Sequence, residues 1–114
     1  MSDQFNFYGQ TSFVNRPTNT VISDFQNMYM SEPANDELAE LLNSVLSSEQ
    51  LGDGEREQAA RLIHEVAEEI ASTEPEGGKI RTTLESIKAI VSQASDIAGP
   101  ALGIISKVFE LIGS

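Results

Sequence analysis

His64 is the single histidine of the chain, and on a helix Glu57, Glu65 and Glu68 would stand at neighbouring positions. An imidazole among carboxylates can hold a metal ion or act as a general base. Either role needs further ligands or a substrate pocket, and the chain offers no cysteine and no second histidine. The spacing therefore predicts a partly exposed histidine in an acidic patch. "EGGKIRTT" at 76–83 sets glycines before Lys79 and Arg81, as a phosphate loop would. Its glycine-to-lysine spacing departs from the Walker pattern and no strand precedes it, so it reads as a turn followed by the first turn of a helix. "GDGE" at 52–55 lacks the alternating oxygen ligands and distal glutamate of a calcium loop and reads as a connector. Glu55, Glu57, Glu65, Glu68, Glu69, Glu74 and Glu76 form an acidic belt, which reads as a solvated helix face rather than a cation or basic-partner site. No serine or threonine is paired with an activating base. The expectation is a non-enzymatic protein with no catalytic residue, cofactor or metal.

Charge narrows the partners. The 114 residues carry a formal charge of −11, and seven scattered Lys and Arg cannot neutralise a run of phosphates. Nucleic acid and anionic membrane surfaces are thereby disfavoured. The charge is uneven: residues 1–30 sum to −1, residues 31–78 hold thirteen acids against Arg56 and Arg61, and residues 79–114 sum to +1. Without cysteine there is neither a disulfide nor a thiolate site. "MSDQFNFYGQ" lacks the basic start and apolar run of a secretory signal, and no stretch approaches the ~18 apolar residues of a spanning helix, so a cytoplasmic protein is expected. "IAGPALGIISKVFELIG" at 97–113 is short and carries Lys107 and Glu110, so it has the length to lie on a bilayer but not to cross one alone.

The elements that would position these residues fall into three zones. Residues 1–30 hold Phe5, Phe7, Tyr8, Phe13, Phe25 and Tyr29 among Asn, Gln and Thr, and predict a β-prone arm with strands near 4–8, 11–15 and 19–25, Pro17 marking a turn or edge. A helical domain is expected over 35–113. Its first helix, near 36–50, is capped by Asn35 or Asp36 and carries Leu38, Leu41, Leu42, Val45 and Leu46 on one face. The second, near 54–73, has Asp53 as its cap and presents Ala59, Leu62, Ile63, Val66 and Ile70. From Ile80 a 4-3 spacing continues through Leu84, Ile87, Val91, Ala94, Ala98, Ala101, Ile105, Val108 and Ile112, flanked by Ile90, Ile97, Ile104 and Leu111. Proline tolerates that stripe only as a kink or restart, so Gly99 and Pro100 are expected to form a hinge between helices near 79–98 and 100–112. The predicted fold is mainly α: a three- to four-helix bundle with an N-terminal arm of short β-strands.

Two or three short strands do not make a stable sheet within one chain, and open edges recruit partners. Phe5, Phe7, Tyr8, Phe13, Val14, Val21, Ile22 and Phe25 are therefore the candidate self-association residues. Ile80, Leu84, Ile87, Val91, Ile105, Val108 and Ile112 are the candidate helical core or interface, since a stripe this wide can also meet a copy of itself. "NFYGQTSFVN" and "NTVISDF" followed by helices and by "TEPEGGKIRTTLESIKAI" resemble small uncharacterised bacterial proteins and effector-associated modules with a short β-prone N-terminal motif. The segment is also similar to the amyloid-type signalling motifs of bacterial defence systems, although Arg16-Pro17 interrupts it. The resemblance implies homotypic assembly or adaptor work in bacterial conflict, with the chain itself or another protein of the same system as partner. The leading expectation is an oligomeric scaffold or interaction module. The alternatives are a membrane-active effector using the apolar C-terminal helix, and an oligomer sequestering a small anion through Arg16, Lys79 and Arg81.

Overall fold

A computed structural model describes residues 17–29, 33–72 and 74–111 of the chain. The described residues form five helices and no strand, so the fold is mainly α. In order they are α1 (Thr18–Tyr29), α2 (Pro33–Ser47), α3 (Asp53–Ala71), α4 (Gly77–Val91) and α5 (Ala98–Leu111). α3 is flanked by α4, α2 and α1, and α5 returns to lie against both α2 and α4.

The strand expected over 19–25 is a helix, and the segment from 18 to 29 belongs to the helical body. Three causes act together. Pro17 fixes the entry, its carbonyl accepting from the Thr20 and Val21 N–H groups at 3.0 and 3.1 Å. Val21 and Phe25, four apart, then fall on one face, and both are fully buried among the other helices. Burial of that pair outweighs the strand preference of Val, Ile, Phe and Thr, which is worth tenths of a kcal/mol per residue. The strands expected at 4–8 and 11–15 lie outside the described residues.

α2 begins at Pro33, earlier than expected, because proline suits a first helical position where its missing N–H goes unused. Asn35 is accordingly a buried first-turn residue rather than a cap. α2 buries Leu38, Leu41, Leu42 and Val45, and α3 adds Ile63 and Val66 with Ala59, Ala60 and Ala67, whose small side chains let neighbouring helices approach. Gly52, not Asp53, precedes α3, and its N–H donates to Glu55 Oε1 at 3.0 Å. α4 buries Ile80, Leu84, Ile87 and Val91, and α5 buries Ala101, Ile105 and Val108. Ile112 lies outside the described residues.

α4 stops at Val91, well before Gly99. In "SQAS" at 92–95 the Ser92 hydroxyl and the Gln93 amide donate back to the Ala89 carbonyl at 3.1 and 3.3 Å, and the Gln93 and Ala94 N–H groups fall to i−3 carbonyls. The break occupies 92–97, and Gly99 and Pro100 lie in the first turn of α5.

Candidate functional site

The most developed polar arrangement joins the α2–α3 loop to the α4–α5 turn. Ser48 is fully buried. Its hydroxyl donates to the Asp96 carboxylate, 3.0 Å from Oδ1 and 3.2 Å from Oδ2, and accepts from the Gln50 and Leu51 N–H groups at 3.2 and 3.3 Å. Asp96 Oδ2 also accepts from the Glu49 N–H at 2.9 Å, and the Ser95 hydroxyl donates to Gln50 Oε1 at 2.8 Å. Arg56 closes the loop from the α3 side, donating from Nη1 to the Ser48 carbonyl at 3.1 Å while pairing with Asp53 through Nη2. A carboxylate accepting from one hydroxyl and one backbone N–H makes charge-assisted bonds, the stronger kind. Here they tie two connectors together across 48 residues of chain. Ser48 and Asp96 carry no signal in the sequence, because nothing local pairs them.

His64 lies on α3 and meets Phe25 of α1 in an edge-to-face contact, ring centroids 5.0 Å apart and planes at 86°. It is half-buried, a packing residue between α1 and α3. Among the described residues no three His, Asp or Glu side chains gather to hold a metal ion. Part of the acidic belt is engaged locally: Glu57 pairs with Arg61 at 3.5 Å, and Glu69 accepts from the Glu76 N–H at 3.0 Å and faces Lys79 at 3.4 Å. The bond from Glu76 and, more weakly, the Lys79 ammonium hold the Glu69 carboxyl below the usual glutamate value, against an opposing push from desolvation. Lys79 is thus tied back to α3, while Arg81 is exposed on α4. Arg16 lies outside the described residues.

The candidate self-association residues separate. Val21 and Phe25 are inside the core, and Ile22 is half-buried on the wall of an open groove between α1 and α2 of about 540 Å³. Asn19, Ser23 and Gln26 line it from α1, with Asp36, Ala39, Glu40 and Asn43 from α2. Phe5, Phe7, Tyr8, Phe13 and Val14 lie outside the described residues. The stripe residues Ile80, Leu84, Ile87, Val91, Ile105 and Val108 are all buried within the one chain. Half-buried Leu102, Ile104 and Phe109 and exposed Leu111 form the apolar outer edge of α5.

No family model, curated protein or solved structure matches this chain.

Proposed function

We propose that the protein is a non-enzymatic homo-oligomeric interaction module: a helical body that displays a self-pairing N-terminal segment, suited to scaffold or adaptor work in bacterial defence or conflict. The observation that supports it is the place of α1. Val21 and Phe25 pack in the core of their own chain, so these two are engaged within it, and in this reading the self-pairing role falls to the aromatic, Asn/Gln/Thr-rich sequence ahead of Pro17. Segments of that composition pair edge to edge between chains. Removal of residues 1–16 is expected to preserve helical circular dichroism and to lower the oligomeric mass in light scattering. An unchanged mass would overturn the reading.

A membrane-active role is the second reading, and the apolar outer edge of α5 with exposed Leu111 is what favours it. α5 has 14 residues, about 21 Å at the usual rise, against a hydrocarbon core of about 30 Å. None of the described helices is long and apolar enough to cross a membrane, so this role would be played on the surface. Liposome leakage that survives Ile104→Asp with Ile105→Asp would exclude it.

A further inference from the structure

We infer that α4 and α5 are the two halves of one interrupted helix, and that α5 can leave its own body to occupy the same position on a second copy of the chain. The inference rests on the homo-oligomer reading and supplies it with a second contact.

The first observation is a conflict between sequence and backbone. The 4-3 spacing from Ile80 to Val108 keeps its phase straight through residues 92–97, where the chain is not helical. A turn between two independent helices has no need to preserve phase. A continuous helix does, since one slipped residue turns the apolar face by about 100°. Ala94 and Ile97, inside the turn, are nonetheless buried. Ser92 is already in the right-handed helical region, so joining the helices requires rewinding only a short stretch.

The second observation is where α5 packs. Its neighbours are α4 and the distant α2, while α1, α2, α3 and α4 contact one another without it. Removing α5 uncovers a face on α2 and α4 whose complement is α5 itself, and any second copy carries that helix. Exchange of an identical element between protomers needs no new interface.

The third observation is that two devices hold the closed form. Asp96, in the middle of the turn, is bound by Ser48 and Glu49 of the α2–α3 loop. Pro100 costs nothing in the first turn of α5, but in a continuous helix it would lack its N–H and press on the carbonyl of residue 96. Both devices act on the same turn and both oppose its rewinding.

The test uses the full chain, which has no native cysteine. Lys107 on α5 lies 4.0 Å from Glu37 on α2, a contact made within the chain when closed and between chains after exchange. Glu37→Cys with Lys107→Cys, treated with a short bis-maleimide, then reports which state is present. In that background Asp96→Ala with Pro100→Ala is expected to raise the interchain product roughly tenfold or more, in proportion to protein concentration. If that pair unfolds the chain, Pro100→Ala alone, at an exposed position, removes one barrier and is read the same way. Intrachain product at every concentration overturns the exchange. Where light scattering still finds an oligomer in that case, the exchange fails while the module reading stands, and a monomer defeats both.

Discussion

Phe25 shows how one side chain ties α1 into the helical body. It is fully buried and meets His64 edge-on, so truncation removes both the core filling and the aromatic contact that seats α1 on α3. Phe25→Ala is expected to cost about 3–5 kcal/mol in urea unfolding. A loss under about 1 kcal/mol would mean that α1 is not part of the cooperative unit. Glu69 is a subtler case. Its folded-state carboxyl is held down by the Glu76 N–H and Lys79, so its contribution is complete above the unfolded-state value and disappears as pH falls through the folded one. Unfolding curves of the native chain and Glu69→Gln should therefore differ at neutral pH and converge at acid pH. A difference that persists after protonation would assign the effect to shape rather than charge.

At the scale of the elements, the helices with a clean apolar face are legible in the sequence. Leu38, Leu41, Leu42 and Val45 on α2 and Ile80, Leu84, Ile87 and Val91 on α4 mark buried faces by spacing alone, because tertiary burial and helical period point the same way. α1 is not legible as a helix because local preference and burial disagree there. The available signals were Pro17 at the entry and the i, i+4 pair Val21 and Phe25, and they are weaker to the eye than a cluster of Phe, Val, Ile and Thr. The end of α4 differs from the sequence pattern in the opposite sense, since the periodicity continues beyond the helix. Asp96 is recruited by Ser48, and a partner 48 residues away leaves no local trace. The corrected start of α1 makes a distinction testable. Deleting 1–30 removes Val21 and Phe25 and should lower the melting temperature and helix content, whereas deleting 1–16 should leave both nearly unchanged. Equal loss in the two truncations would place the boundary of the body before Pro17.

At the scale of the whole molecule, charge is the dominant long-range term. The formal charge of −11 is concentrated in residues 31–78. Exposed ion pairs such as Arg61 with Glu57 contribute only about 0–1 kcal/mol each, so self-repulsion exceeds pairing. Raising the salt from about 0.01 M to about 0.5 M shortens the screening length from roughly 30 Å to under 10 Å and is expected to raise the melting temperature. A fall on adding salt would show that the pairs dominate. The placement of α5 against α2 also has a consequence during synthesis. Local helix pairs such as α3 with α4 can form as soon as they emerge, but the last buried layer on α2 is encoded only from residue 98 onward. At roughly 5–20 residues per second, adding a 14-residue helix takes about one to three seconds, far longer than a helix needs to form. Each nascent chain thus carries an uncovered oily face for that interval, and on a crowded polysome the nearest matching helix can belong to the chain ahead.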